Sequence, residues 1–326
     1  MKLPRRQFLR LAAGAAALPA VSRIAWAQVY PSRPITMVVP APAGAASDII
    51  GRLVAERMRG SLGQPIIIEN VSGASGSIGT GRAARARPDG YTIVIGFNSS
   101  HALNGALYSL RYDVLNDFEP ISPLAMGPIV FYARKTMPAK DLNDLIDWLK
   151  ANPDKASAGI ASVGYHVVTA LFQKQTGTKF PLLPYRSLPP ALQDLVAGRI
   201  DLLFGTPDLL PVVRSGIIKA YAVTSNTRFA QAPDIPTFAE MGVPAVFWST
   251  WNGLFAPRGT PRDIIGKLNA AAVEALADPL VRSRIADLGY DTVPRERQTP
   301  ETLAGLQKAD AEKWWPIIKE LGLKAE

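Results

Sequence analysis

The sequence predicts an α/β protein of two domains, and three observations support this prediction. Short runs rich in β-branched residues alternate with longer amphipathic segments along most of the 326 residues. Turn signals separate the two kinds of segment: Pro88-Asp89-Gly90 precedes one strand, and Gly198, Gly216 and Gly289 stand where helices should end. The chain also exceeds the commonest single-domain length, so we expect two domains.

The predicted strands are short apolar runs, and the predicted helices carry apolar residues at helical spacing. The strands are Thr36–Val39, Ile66–Glu69, Thr92–Gly96, Ile129–Ala133, Lys155–Ala158, Leu182–Tyr185, Leu202–Phe204, Ala220–Thr224 and Gly253–Ala256. The helices are Ser47–Arg59, Gly76–Ala86, Leu142–Lys150, His166–Thr176, Ser187–Ala197, Leu209–Ser215, Ile235–Met241, Arg262–Leu276, Pro279–Asp287 and Pro300–Leu321.

The loop Pro40–Asp48, after the first predicted strand, is the most informative segment. Its prolines stop the strand, Gly44 and the alanines keep side chains small, and Ser47 is placed to cap the next helix. Such a turn leaves backbone N–H groups open to an anion. An ordinary strand-to-helix connection is the alternative, in which Asp48 stabilises the helix dipole or fixes the turn.

Residues 1–27 have the features of an export signal. A basic start and a short apolar stretch precede Ala25-Trp26-Ala27, which predicts cleavage after Ala27 and a periplasmic product. Arg5-Arg6 indicates the twin-arginine route, although Pro4 keeps general secretion open. Five positive charges of the net +9 lie in residues 1–27, which leaves +4. This mildly basic charge favours anionic ligands but is too small to predict nucleic-acid binding. No apolar run after residue 27 is long enough to predict a membrane span.

No enzyme motif stands out in the sequence. The absence of cysteine excludes disulfides and thiolate chemistry, and we expect neither a metal nor a cofactor. No G-x-S-x-G elbow and no Walker A sequence occur, and Gly79–Ala84 fits a dinucleotide pattern by letters only. His101 and His166 are the two histidines. An exported hydrolase would need a Ser–His–Asp arrangement in one cleft.

Further polar loops follow other predicted strands. They are Phe97–His101, Gly159–Gly164, Pro184–Ser187 and Phe204–Pro207. Ligands of open α/β sheets bind at the carboxyl ends of strands, so neutral donors from these loops would meet around a carboxylate. For Trp248 and Trp251, core packing is favoured over a cleft wall.

Several segments, in this order and spacing, resemble the extracytoplasmic solute-binding proteins of tripartite tricarboxylate transporters, the Bug-type receptors. The segments are Tyr30–Ile35, Pro40–Asp48, Pro88–Tyr91, Asp117–Ile121, Pro184–Arg186, Ala191–Leu195, Gly198–Asp201, Ala222–Ser225, Pro233–Thr237 and Gly253–Pro257. The resemblance implies a type II periplasmic-binding-protein fold, in which two α/β domains close on a ligand. We place the crossings near residues 130 and 250, which gives one domain from 28–130 and 250–326 and a second from 131–249.

The resemblance also implies a function: a monomeric receptor that carries a small organic acid to membrane subunits of a transporter. A periplasmic sensor that feeds a signalling system is the alternative. The implied ligand-binding residues are Ala43, Gly44, Ala45, Ala46, Ser47, Asn98, Ser99, Ser100, His101, Ser162, Val163, Gly164, His166, Tyr185, Arg186, Gly205 and Thr206.

Three departures from the family pattern refine the ligand. Ala45 and Ala46 replace glycines and narrow the first turn, and Val163 stands in a bulkier second loop. Gly205 stands where the family often has an aspartate, which would pair with a ligand ammonium. We therefore expect an aromatic or aliphatic mono- or dicarboxylate without an amino group. Arg186 either contacts the carboxylate or lies at the rim.

Overall fold

The computed structural model describes residues 30–324, which form two β-sheets flanked by helices. The predicted α/β class is confirmed, and the fold has two lobes. The predicted export signal, residues 1–27, lies outside the described residues. We call the part built on the six-stranded sheet the first lobe and the part built on the five-stranded sheet the second lobe.

The first lobe's sheet has the order β11-β4-β10-β3-β1-β2, and the second lobe's has the order β7-β6-β8-β5-β9. The strands are β1 Ile35–Val39, β2 Ile66–Asn70, β3 Thr92–Phe97, β4 Phe118–Gly127, β5 Val130–Arg134, β6 Ala158–Ile160, β7 Leu182–Pro184, β8 Leu202–Gly205, β9 Ile218–Val223, β10 Thr250–Pro257 and β11 Asp291–Thr292.

The α-helices differ from the prediction mainly at their ends. They are α1 Ala46–Leu62, α2 Ser77–Ala84, α3 Asn104–Leu107, α4 Leu142–Ala151, α5 Val163–Thr176, α6 Leu188–Val196, α7 Leu210–Arg214, α8 Arg262–Ala277, α9 Pro279–Asp287 and α10 Pro300–Glu320. A π-helix spans Ser99–Leu103, and short 3₁₀ turns span Ala74–Gly76, Pro207–Leu209 and Arg295–Arg297. Gly198, Gly216 and Gly289 adopt positive φ where helices end, as predicted.

Alternating side chains of each strand fill a core on each face of its sheet. In β1, Met37 and Val39 pack against α1 and α8, whereas Val38 belongs to the cluster on the other face. In β5, Phe131 and Tyr132 divide in the same way between the two clusters of the second lobe. β1, β2 and β3 are parallel, as are β6, β7 and β8, so the loops after them meet at one edge of each sheet.

The strand β4 was not predicted, although it pairs with β10 along its whole length. Pro120 and Pro123 argue against a strand in the sequence. In the structure these prolines lie where the pairing register with β10 shifts, between Asn252 and Gly253 and between Leu254 and Phe255. Irregular pairing of this kind tolerates a residue that has no N–H to donate.

The predicted helix Ile235–Met241 is wrong, because this segment forms turns. Thr237 and Glu240 exchange the hydrogen bonds of a capping box, which normally starts a helix. Gly242 at positive φ ends the segment after one turn. The predicted strand Lys155–Ala158 also lies too early, since β6 runs over Ala158–Ile160.

The chain passes from the first sheet to the second between β4 and β5, and returns between β9 and β10. Thr224 joins the two crossings: its Oγ1 accepts the N–H of Ile129 at 3.0 Å and donates to the carbonyl of Trp248 at 2.8 Å. The domain limits at residues 130 and 250 stay a prediction. Trp248 and Trp251 are buried, as core packing requires.

The last helix, α10, packs against both lobes. Leu303 in its first turn belongs to the first-lobe cluster around Phe255. Trp314 and Ile318, near its other end, belong to the second-lobe core, which includes Phe131. Leu303, Trp314 and Ile318 are all buried, so the helix bridges the lobes through apolar contacts.

Candidate ligand-binding site

The loop after β1 is held by the carboxylate of Asp48, which is buried in the first turn of α1. One oxygen accepts the N–H of Gly44 at 2.8 Å, and the other accepts Nδ2 of Asn70 at 2.9 Å. Burial alone would raise the pKa of Asp48, but the donors of Arg52, Gly44 and Asn70 outweigh it and lower the pKa. The structure thus shows Asp48 fixing the turn.

α1 begins at Ala46 with Ala45 as its N-cap, so the prediction that Ser47 caps this helix is wrong. Alanine has no side-chain oxygen, and the first N–H groups of α1 therefore receive no side-chain cap. The N–H of Gly44 is bonded to Asp48, which leaves the first turn of α1 as the part of this loop suited to an anion. Ala43 and Gly44 are exposed beside it.

The loop after β3 is helical, and three of its predicted site residues use their side chains within the fold. Asn98 bonds to β10 and α10, and Ser100 bonds to the backbone of Phe97. His101 is stacked on Phe255 with ring centroids 4.3 Å apart. The hydroxyl of Ser99, in contrast, forms no hydrogen bond with any of residues 30–324.

Burial lowers the pKa of His101 to about 3, so the ring is neutral at physiological pH. Its Nδ1 lies 2.9 Å from Oγ of Ser100, and its Nε2 has no partner among the described residues. The ring packs against Phe118 as well as Phe255. A ring enclosed in this way cannot act as the base that a hydrolase would need.

The facing loop of the second lobe forms the start of α5. Ser162 is the N-cap, and its Oγ accepts the N–H of Tyr165 at 3.3 Å, so the helix begins at Val163 rather than at His166. A Cβ at Gly164 would lie 2.9 Å from the ring of Trp248 and 3.6 Å from Oγ of Ser99. The two predicted loops therefore meet at Ser99 and Gly164, and a side chain larger than hydrogen at 164 would crowd the tryptophan.

The predicted site residues Tyr185 and Arg186 differ in their contacts: Tyr185 is hydrogen-bonded within the second lobe, and Arg186 is exposed. The hydroxyl of Tyr185 donates to Asp194 at 2.7 Å, and burial together with this carboxylate raises the pKa of Tyr185 to about 12. Arg186 is exposed, and within residues 30–324 it has no recorded ion pair. Tyr185 thus supports α6, while Arg186 remains available at the surface.

The turn after β8 carries a carboxylate that the sequence analysis did not select. Gly205 is enclosed by Leu188, Leu209 and Tyr132, so an aspartate at 205 would face apolar groups. Asp208, three residues on, is solvent-accessible, yet surrounding protein raises its pKa by desolvation, against the opposing effect of Thr206.

Asp208 and Thr206 lie close to α5 and to the first lobe. Burial of Tyr165 and the negative charge of the nearby Asp208 both raise the pKa of Tyr165. Pro207 approaches Gly289 of the first lobe so closely that a Cβ there would lie 2.4 Å from the proline. The carbonyl of Thr206 accepts the hydroxyl of Tyr132 at 2.9 Å. An acid at the carboxyl end of β8 is the signal that could have identified Asp208.

The loop after β2 was also missed as part of this edge. Ala74 and Ser75 adopt positive φ, which is uncommon for residues other than glycine and occurs at functional sites. The carbonyl of Ser75 accepts Nδ2 of Asn104 at 3.1 Å. Gly76 lies against Pro40, so this Gly- and Ser-rich loop adjoins the loop after β1.

Three further points of the sequence concern the Gly79–Ala84 pattern, a metal site and a membrane span. Gly79 allows α2 to lie against the loop after β2, since a Cβ there would lie 2.4 Å from the carbonyl oxygen of Val71. Close packing of α2 therefore explains the glycine at position 79 of the dinucleotide-like pattern. Within residues 30–324, no three His, Cys, Asp or Glu side chains are grouped to hold a metal ion. Over the same residues, no helix combines the length and the apolar character needed to cross a membrane.

The chain matches the family model described as "Tripartite tricarboxylate transporter family receptor" over residues 50–323. It belongs to this family. The recognition from sequence is confirmed, and the family is one of solute-binding receptors.

Solved structures agree. "Structure of periplasmic binding protein BugD" is similar with a TM-score of 0.83 and 34% identity, covering 91% of this chain and 100% of that one. MatC from Rhodopseudomonas palustris with bound malate has a TM-score of 0.82 and 35% identity, covering 89% and 100%. R. palustris Rpa4515 with adipate has a TM-score of 0.83 and 31% identity, covering 90% and 99%. This family member therefore has a bilobal periplasmic-binding-protein fold.

Proposed function

We propose that this protein captures a small organic carboxylate between its lobes and delivers it to the membrane subunits of a tripartite tricarboxylate-type transporter. The approach of Ser99 in the first lobe to Gly164 in the second is the observation that carries the proposal. Ser99 supplies a hydroxyl, the first turn of α5 supplies backbone N–H groups beside it, and the uncapped first turn of α1 supplies further N–H groups from the first lobe. A carboxylate is an acceptor that such donors bind well.

The solved relatives support the ligand class. MatC holds malate and Rpa4515 holds adipate, and both ligands are small carboxylates. We propose a mono- or dicarboxylate for this chain, without an amino group, because Gly205 stands among apolar side chains where the family often has an acid. The solvent-accessible Asp208 makes the amino group a point to test directly.

The proposed mechanism is domain closure on the ligand. The first turns of α1 and α5 and the hydroxyl of Ser99 replace the hydration shell of the carboxylate. Ligand contacts made from both lobes at once are available only in the closed form, so the ligand shifts the population toward it. Membrane subunits that recognise this form then receive loaded receptors in preference to empty ones.

The proposed location is the periplasm, after cleavage behind Ala27. The support is the basic start, the apolar stretch and the Ala25-Trp26-Ala27 site in the sequence. Arg5-Arg6 favours export by the twin-arginine route. Amino-terminal sequencing of protein purified from a periplasmic extract should begin at Gln28.

A thermal-shift screen of organic acids on this periplasmic protein tests the function. A ligand at a hundred times its Kd stabilises the fold by about 2.7 kcal/mol and raises the melting temperature clearly. Malate, adipate, benzoate, aspartate and glutamate should be included. Stabilisation by amine-free acids supports the proposal, tight binding of aspartate or glutamate alone would overturn the amine-free ligand, and an unresponsive protein would contradict carboxylate capture.

Arg186→Ala then tests the direct contact by calorimetric titration with the best acid. The exposed Arg87→Ala is the control for loss of one positive charge. A weaker affinity in the first variant only supports a direct contact, and equal affinities place Arg186 at the rim.

A further inference from the structure

One side of α10 reaches the loop after β3 and the crossing into β10. Nε2 of Gln307 donates to the carbonyl of His101 at 2.8 Å, and Nε1 of Trp315 donates to the carbonyl of Ala102 at 3.0 Å. Nζ of Lys313 donates to the carbonyl of Phe247 at 3.1 Å. The helix thus holds the π-helix at one position and the crossing at another.

Asp310, between these contacts, binds both segments with one atom. Its Oδ2 accepts Nδ2 of Asn98 at 2.5 Å and Nε1 of Trp251 at 2.7 Å. Burial raises the pKa of Asp310, against the opposing effects of Trp251, Asn98 and Lys313. Lys313 follows Asp310 by three residues on α10, and its ammonium group also lies over the ring of Phe247.

Asn98 completes the connection. Its Nδ2 also donates to the carbonyl of Ser249 at 3.1 Å, and its Oδ1 accepts the N–H of Trp251 at 2.9 Å. The side chain is buried, so losing an acceptor would leave a donor unsatisfied, which costs far more in the interior than at the surface. Asn98 directly precedes Ser99, whose hydroxyl stands at the meeting point of the lobes.

We propose that Asp310 is a positioning residue, which ties Asn98 and the loop after β3 to Trp251 at the start of β10, where the crossing ends, so that the proposed ligand loop and the interlobe connection move as one unit with α10. The proposal rests on the proposed function for its ligand, but the tie itself can be tested without one. Asp310 acts through Asn98 and does not contact the ligand.

Hydrogen exchange of the ligand-free protein tests the tie. Asp310→Ala removes the shared acceptor, and we expect exchange to rise at least about tenfold in both 98–103 and 247–251. Asp310→Asn retains one oxygen able to accept both donors, so it should restore most of the protection. Glu312→Ala is the control, because Glu312 is exposed on the same helix and forms a surface ion pair with Lys308 at 3.7 Å.

Ligand titration supplies the second measurement, with malate and adipate as probes. We expect Asp310→Ala to weaken binding of the responsive probe about tenfold, with affinity recovered in Asp310→Asn and unchanged in Glu312→Ala. Asn98→Ala should reproduce the exchange pattern of Asp310→Ala, which keeps the test open if Asp310→Ala fails to fold.

The outcomes separate the two proposals. Faster exchange in only one of the two segments, or no rescue by Asp310→Asn, would overturn the role of Asp310. Normal probe binding in Asp310→Ala with both segments loosened would overturn its link to ligand binding. If the unmodified protein binds no carboxylate, the proposed function fails, while the exchange data still decide the tie.

Discussion

Replacing Asp48 by asparagine should destabilise the protein at neutral pH and loosen the loop after β1. The two oxygens of Asp48 accept different donors, Gly44 on one and Asn70 on the other. Asparagine has one oxygen, so its NH₂ group would face one of these donors. The half-exposed Arg52 would also lose its ion pair.

The size of the effect follows from these contacts. A hydrogen bond to a charged acceptor contributes about 1.5–3 kcal/mol, and an exposed ion pair contributes roughly 0.5 kcal/mol. Loss of one charged acceptor and the ion pair therefore predicts a loss of about 2–3.5 kcal/mol in the free energy of unfolding. Because the pKa of Asp48 is lowered in the fold, this contribution is present above the unfolded pKa of about 3.9 and is lost as pH falls through the folded value.

Urea unfolding at a series of pH values measures this difference. Glu56→Gln is the control, since Glu56 is exposed on the same helix. We expect a difference in the free energy of unfolding at pH 7 for Asp48→Asn that narrows as the pH falls below about 3.9, and almost no difference for Glu56→Gln. A gap that is absent at pH 7, or that persists unchanged in acid, would refute the reasoning.

Three further predictions use the same unfolding assay. Gly44→Ala should lower the free energy of unfolding by about 1–2 kcal/mol, because φ is +82° at this position although a Cβ would meet no neighbour. Gly266→Ala, in the exposed interior of α8, should raise it by about 0.5–1 kcal/mol, and equal effects of the two substitutions would contradict this account. His101→Phe should remove part of the pH dependence of stability. Because the folded pKa of His101 is about 3, protonation of the histidine in the unfolded state should lower the free energy of unfolding of the unmodified protein by roughly 2–3 kcal/mol between pH 7 and 4.5. The same pH dependence in the variant would count against this explanation. Asp208→Asn should be more stable than the unmodified protein at pH 7, with the gap narrowing on acidification, because the raised pKa of Asp208 means that the fold favours its protonated form; a gap that widens in acid would be inconsistent with this.

The sequence predicted those features that are local in the chain. Alternating strands and helices, and small-residue loops after strands, are visible within windows of ten residues, and they place Ser99 and Gly164 at facing sheet edges. β4 escaped prediction because its prolines become acceptable only beside the register shifts of β10, which the local pattern does not contain.

The roles of individual site residues depend on distant partners. Asn98 looked like a ligand donor, but its amide bonds to Asp310, 212 residues away in sequence. Tyr185 likewise uses its hydroxyl on Asp194. The raised pKa of Asp208 comes from desolvation by surrounding protein, which the sequence around an otherwise ordinary loop acid does not show.

The hydroxyl of Thr224, which joins Ile129 to Trp248, has a mechanical consequence. Two separate connecting segments would allow the lobes to twist and slide as well as bend. Because the two segments are joined side by side, the connection between the lobes should bend about one axis more easily than it twists or slides. Opening and closing would then follow one reproducible path, and less entropy is lost when a ligand selects the closed end of that path.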